Sequence, residues 1–143
     1  MTSRYNVAIL GASGLVGQRL QELLYDHPLF DVVAIAGSPN SVGLMHEEIE
    51  WRLDSRRPNY DILICSMSDI PDVDIAFSAL PNNVAEVVEP SLVARGIHVF
   101  SNASAFRRIA GIPLVIPEVN PEDMQSYYGH ACATNCTVVP VVT

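Results

Sequence analysis

Two groups of residues in this chain have types and spacings suited to chemistry. Gly11, Gly14 and Gly17 form a G-x-x-G-x-x-G series inside "GASGLVG". Much further on, Cys136 sits between Asn135 and Thr137, four residues before Pro140. In the glycine series, Gly11 permits a tight turn, Gly14 lets a pyrophosphate approach the backbone, and Gly17 lets a helix pack closely on a strand. The start of that helix then offers free N–H groups and partial positive charge to an anion. Proline is best tolerated in a helix's first turn, so a second helix is expected to begin near Cys136 or Thr137. A thiol there feels the positive end of the helix dipole, which favours thiolate. The alternatives are plain: the glycines serve packing alone, and Cys136 is a buried structural cysteine, as most free cysteines are.

A thiolate beside a nicotinamide cofactor implies a particular reaction. The thiolate attacks an aldehyde, hydride leaves to the cofactor, and a thioester remains. Water, phosphate or coenzyme A then takes the acyl group. The reverse sequence reduces an activated acid to an aldehyde.

The elements needed to position these groups can be read along the chain. "YNVAIL" (Tyr5 to Leu10) is a short apolar run that reads as a buried strand. Leu15, Val16, Leu20, Leu23 and Leu24 recur at helical spacing, and Pro28 stops that helix. Asp31 to Gly37 is a second strand; one helical turn is expected near Glu47, and "DILICSM" reads as an edge strand. Val73 to Leu80 is a buried strand, followed by a helix from Pro81 and Asn82 to about Gly96, with a kink or restart at Pro90. "HVFSN", "PLVIPEVN" and "HACAT" are further strands, with a short helix led by Pro121 between the last two.

Strands alternating with helices predict an α/β fold: a doubly wound, mostly parallel sheet of the Rossmann-like dinucleotide-binding kind. Ligands bind such sheets at the carboxyl ends of the strands. Gly11, Ser38, Ser78, Asn102 and Cys136 all lie at or just past such ends. One crevice is therefore expected to collect them.

Composition sets the boundaries. The 143 residues suit one domain, 49% are hydrophobic and 17% charged, and the formal charge is −8 with arginine as the sole basic residue besides histidine. That balance disfavours nucleic acid and anionic membrane surfaces, which need a basic face. No apolar run reaches the roughly 20 residues that span a bilayer. "MTSRYNVAIL" runs straight into a strand rather than reading as a signal peptide, so a cytoplasmic location is expected. Cys65, Cys132 and Cys136 have neither disulfide-framework nor zinc-site spacing, and Cys65 and Cys132 read as structural. At the end of the second strand, "AIAGSPNS" carries no acid to hold a ribose 2′-hydroxyl, which leans toward NADP with NAD possible. No arginine or lysine follows, so Ser38, Asn40 and Ser41 are left to donate neutral hydrogen bonds to a 2′-phosphate.

Several segments together, "VAILGASGLVGQRLQELLYDHPLFDVVAIAGS", "DVDIAFSALP", "SNASAFR", "PLVIPEVNPE" and "NCT", occur in an order that resembles aspartate-semialdehyde dehydrogenases, more the archaeal and fungal branch than the enteric one. The resemblance covers nearly the whole chain. It implies NADPH-dependent reduction of aspartyl 4-phosphate to aspartate 4-semialdehyde and phosphate, in lysine, threonine and methionine biosynthesis. Under it, Cys136 is the acyl-accepting nucleophile and Asn135 helps orient the substrate carbonyl. Arg107 binds the phosphate of the acyl phosphate, with Asn102 of the same motif at the substrate. Ser13, Gly14, Leu15 and Val16 form the cofactor-binding turn. Ser38, Asn40 and Ser41 form the ribose-phosphate loop, and Ser78, Ala79, Leu80 and Pro81 line the adenine side. The implied partner is a small acyl phosphate or aldehyde, and the full-length enzyme is expected to be a homo-oligomer.

The chain also departs from that pattern. Asn40 and Leu44 stand where the family usually carries a basic residue for the 2′-phosphate, and Thr134 replaces the proline of a Pro–Asn–Cys run. Family members exceed twice this length, and the four histidines here match no acid–base motif. Residues 1–143 are therefore expected to form the NAD(P)-binding domain, ending just after the cysteine motif. A second, catalytic and dimerisation domain is expected beyond this chain. A coenzyme A-dependent relative such as malonyl-CoA reductase shares these motifs, and a non-catalytic dinucleotide-binding module stands as the reading from another class.

Overall fold

The computed structural model describes residues 3–133. Asn135, Cys136 and the helix expected to start there lie outside the described residues. Six strands form one all-parallel sheet: β1 (Tyr5–Leu10), β2 (Phe30–Ala36), β3 (Ile75–Ser78), β4 (His98–Ser101), β5 (Leu114–Val115) and β6 (His130–Ala133), in the order β2-β1-β3-β4-β6-β5. Helix α1 (Leu15–Leu24) joins β1 to β2, and α2 (Asn82–Ala94) joins β3 to β4. The fold is the Rossmann-like doubly wound sheet that alternation predicts.

A central parallel strand is apolar on both sides because helices cover both faces. In β1, Val7 and Ile9 face one layer and Ala8 and Leu10 the other, and all four are fully buried. On the first face, Val7, Ile9 and Ile35 pack with Leu24 of α1 and with Ile49, Tyr60 and Ile64 of the long segment after β2. On the second face, Ala8, Leu10, Ala76 and Val99 meet Ala85, Val88 and Leu92 of α2.

Helix α1 departs from its apolar periodicity. It buries Gly17, Gln18, Gln21 and Leu24, whereas Leu15 is 57% exposed and Leu23 62%. The cause is the glycine loop behind the helix. A Cβ on Gly17 would overlap the carbonyl oxygen of Gly11, so the helix sits too close to β1 for any side chain there. Gln18 and Gln21 occupy the next inward positions because they bond the loop's carbonyls.

Four other expectations are corrected. "DILICSM" makes no edge strand but only isolated bridges, Ala36 to Cys65 and Met45 to Leu63. Its backbone is divided between two partners: Cys65 N–H donates to Ile35 while Ile64 N–H donates to Leu44. "PLVIPEVN" gives a strand of two residues, bounded by Pro113 and by Asn120, whose side chain accepts from Ile116 N–H and donates to the Leu114 carbonyl. Pro90 lies inside a single α2 rather than restarting it. The segment led by Pro121 is a 3-10 turn, Pro121–Ser126.

Gly17→Ala is expected to destabilise the chain by about 3 kcal/mol or more, since backbone must move to admit the methyl group. Chemical denaturation reads this directly. An unshifted midpoint would show that α1 is not held against Gly11.

Candidate functional site

The strand order changes direction at β1, whose neighbours β2 and β3 lead to opposite sides of the sheet. Loops leaving β1 and β3 at that point diverge, and a crevice opens between them. Here it is a cleft of about 940 Å³. The glycine loop forms one wall, Ala79, Leu80 and Pro81 after β3 another, and Gly37, Ser38 and Pro39 after β2 a third.

The glycine loop is shaped by buried polar side chains. Gly11 has φ +126°, a left-handed backbone that favours glycine, and its Cα faces the Ala79 carbonyl so closely that a Cβ would lie 3.1 Å from the oxygen. Gln21 donates to the carbonyls of Gly11 and Ala12, both at 3.1 Å, and Gln18 donates to Glu50 O at 2.8 Å while accepting from Arg52 N–H. Gln21 Oε1 in turn accepts from His46 Nε2 at 2.7 Å. The loop's carbonyls are thus drawn into the core. At the mouth, Gly14 is the N-cap of α1, with no side-chain cap and no acid in the first turn. A Cβ on Gly14 would meet nothing within 4 Å. Uncapped helix N–H groups beside open space fit a pyrophosphate.

The opposite half of the sheet edge is tied together by Glu89 of α2, which is fully buried. Its Oε2 accepts from Ser78 Oγ at 2.8 Å and Ser101 Oγ at 2.7 Å, and its Oε1 bonds His130 Nε2 at 2.8 Å. One carboxylate therefore joins the ends of β3 and β4 to the start of β6. Just above it, Asn102 N–H donates to Ser78 O at 2.8 Å, and the Asn102 carbonyl accepts from Arg107 Nη2 at 2.8 Å. Arg107 Nε is buried and has no partner among the described residues.

Of the residues singled out from sequence, Gly11, Ser13, Gly14, Val16, Ser38, Ala79, Leu80 and Asn102 line the cleft. Leu15 is exposed outside it, and Gly17 lies beneath it against Gly11. Ser41 is buried, with its Cβ beneath Gly37, and Asn40 is exposed but off the cleft wall. Ser78 faces Glu89 rather than the cleft. Arg107 reaches the rim through Asn102. Asn135 and Cys136 lie outside the described residues. Sequence reasoning missed Ser66, Met67 and Ser68, which complete the wall beside Ser38. No motif marks them. It also missed Glu89, although a carboxylate at helical spacing between Ala85 and Leu92 falls on the buried stripe.

Burial pushes the Cys132 thiol up to about 11, with the nearby Glu89 carboxylate adding to it, and burial also raises that of Cys65. Both are thiols at neutral pH. Burial first, and the Arg57 guanidinium second, lower His46 from 6.5 to about 4. Among the described residues no group of three His, Cys, Asp or Glu could hold a metal ion, and no helix is long and apolar enough to cross a membrane.

Residues 6–127 match the family model for the semialdehyde dehydrogenase NAD-binding domain. The aspartate-semialdehyde dehydrogenase of Archaeoglobus fulgidus is 44% identical over 125 residues, covering 85% of this chain and 36% of that relative. The NADP-dependent malonyl-CoA reductase of Metallosphaera sedula is 37% identical over 126 residues, 85% of this chain and 35% of the relative. The crystal structure of aspartate-semialdehyde dehydrogenase with NADP from Candida albicans superposes with a TM-score of 0.85 at 31% identity, covering 94% of this chain and 44% of that one. The chain spans about a third of the length of the curated relatives it matches.

His46 supports a pH prediction. The unfolded chain takes up a proton near 6.5 and the folded chain only near 4, so the unfolded state binds more protons between those values. The contribution is fully present above about 6.5 and falls as pH is lowered toward about 4. Denaturation midpoints measured across that window are expected to fall, and His46→Gln is expected to flatten that part of the curve. A wild-type profile that is already flat would show a freely titrating imidazole.

Proposed function

The chain belongs to the semialdehyde dehydrogenase NAD-binding-domain family, and from that premise we infer that it is the cofactor-binding part of an aspartate-semialdehyde dehydrogenase. The reaction is reduction of aspartyl 4-phosphate to aspartate 4-semialdehyde and phosphate. The observation that carries this reading is the placement of Asn102: it lines the dinucleotide cleft and holds Arg107 on its carbonyl. Cofactor and phosphate ligand then share one rim.

The residues present fit a nicotinamide dinucleotide, through the uncapped N-terminus of α1, the open space over Gly14 and the Leu80, Pro81 and Val84 wall. Bound there, a reduced nicotinamide dinucleotide would supply the hydride. Gly14 and the first turn of α1 would hold its pyrophosphate, and Leu80 with Pro81 would line the adenine side. Arg107 offers a planar guanidinium to the substrate's phosphate, and its Nε, without a partner among the described residues, and its tethered Nη2 suit a fork that is already oriented. Cys136 attacks the acyl carbon, the C–O bond to phosphate breaks, and inorganic phosphate departs as the thioester forms. After hydride reaches the thioester carbon, the C–S bond breaks and the aldehyde leaves, returning the thiolate. Asn135 positions the substrate carbonyl during both steps.

A second reading follows from the Metallosphaera relative: a coenzyme A thioester donates the acyl group, and coenzyme A departs in place of phosphate. Arg107 favours the first. A cytoplasmic location and a homo-oligomeric full-length enzyme belong to the same reading. The test is cofactor reduction by a full-length protein of this sequence, given aspartate 4-semialdehyde, phosphate and NADP. Turnover that ignores phosphate but needs coenzyme A would select the second reading; dinucleotide binding without turnover would select a non-catalytic module.

In that protein Cys136→Ser is expected to abolish turnover while dinucleotide binding, measured by titration, persists. Retained aldehyde oxidation would remove Cys136 from the mechanism. Arg107→Ala is expected to raise the phosphate concentration for half-maximal rate by about tenfold or more, the loss of one charge-assisted pair. An unchanged phosphate dependence would remove Arg107 from the phosphate site.

A further inference from the structure

We propose that the cleft binds NAD at least as tightly as NADP, because the corner that receives the adenine-side ribose holds no cation and has the Asp69 carboxylate behind two of its serine hydroxyls. The proposal rests on the dinucleotide reading above and adds the choice between the two cofactors.

The second strand of such a sheet ends beside that ribose. Here β2 ends at Ala36, and Gly37, Ser38 and Pro39 continue along the cleft wall. Gly37 N–H donates to Cys65 O and Cys65 N–H to Ile35 O, each at 3.0 Å. These bonds bring Ser66, Met67 and Ser68 onto the same wall beside Ser38.

A 2′-phosphate brings close to two negative charges at neutral pH and only acceptor oxygens. It needs a cation or a set of free donors. The chain contains no lysine, and all eight of its arginines fall within the described residues. None lines the cleft. Arg19 pairs with Glu22, Arg57 donates to His46 O, Arg95 holds Asp72 and Ile70 O, and Arg107 holds Asn102 O.

The hydroxyls of this corner do not replace a cation. Ser66 Oγ donates to Asp69 Oδ2 at 3.1 Å, and Ser66 Oγ and Ser68 Oγ are 2.9 Å apart. Each hydroxyl has one proton. The carboxylate takes that of Ser66, so Ser68 donates to Ser66, and both protons are used within the turn. On these two hydroxyls lone pairs are what remain for a ligand, and the Ser38 hydroxyl beside them is a neutral donor rather than a cation. A ribose 2′-hydroxyl brings its own proton and suits them, whereas a phosphate meets acceptors backed by a carboxylate. The Asp69 charge is felt in this corner, where it adds to the rise of the Cys65 thiol.

The experiment is calorimetric titration of the chain with NAD and with NADP at one fixed low salt concentration. The expected result is a Kd for NAD equal to or below that for NADP. Asp69→Asn and, separately, Asn40→Arg are exposed changes that should each move the Kd ratio toward NADP, the arginine by about tenfold. A wild-type Kd for NADP below that for NAD would overturn the proposal. So would a ratio unmoved by Asp69→Asn. Failure of both nucleotides to bind wild type would instead remove the dinucleotide reading, and this proposal with it.

Discussion

The contact on which the site depends is the approach of α1 to β1 at Gly17 and Gly11. A helix this close to a strand leaves no room for a Cβ at the crossing. It also places the helix N-terminus directly over the carboxyl end of the central strand, where an anion meets unpaired N–H groups. Closeness alone would leave the loop's carbonyls pointing anywhere. Gln18 and Gln21 resolve that by giving the inward stripe of α1 to amide groups, which bond Gly11, Ala12 and the backbone of Glu50 and Arg52. Apolar side chains at these two positions would bury more carbon, but would leave the loop carbonyls without partners in the core.

Glu89 performs the matching task on the other half of the edge. A fully buried carboxylate costs several kcal/mol of lost hydration unless it is paired and hydrogen-bonded. Ser78, Ser101 and His130 supply those partners, and each lies in a different strand. The arrangement is weak evidence for stability and better evidence for placement. It aligns the ends of β3 and β4, from which Ala79, Leu80, Asn102 and Ala103 project into the cleft. Through Asn102 the same alignment reaches Arg107. The cleft wall and the placement of Arg107 are thus two outcomes of one buried network.

The two halves of the edge differ in charge, and that difference matters chemically. The cleft is lined by backbone, small hydroxyls and apolar side chains, with no charged residue on its walls. The formal charge of the chain is −8, and none of its eight arginines lines the cleft. Arg107 is the exception that stands at the rim, with a buried Nε awaiting a partner among the described residues. A cleft lined by backbone dipoles and neutral side chains thus lies next to one guanidinium, which separates dipolar from charged surface at the same edge.

Much of the fold and part of the site were legible in the sequence. The apolar runs Tyr5 to Leu10 and Val73 to Leu80, the spacing of Gly11, Gly14 and Gly17, and the alternation of strands with helices follow from local rules: period, propensity and glycine's backbone freedom. These rules determined the parallel sheet and the location of the glycine loop at its edge. They do not reveal that Ser41 and Ser78 are buried, because a position beside a strand end does not say which way its side chain turns. They read "DILICSM" as a strand, because hydrogen-bond partners are chosen by neighbours far away in sequence. Only the tertiary structure decided that Gln18, Gln21 and Glu89 are buried, that Ser66 and Ser68 join Ser38, and that Arg107 hangs from Asn102. Each of those facts depends on partners contributed by separate elements, and desolvation rewards a polar side chain only once all of its partners are present.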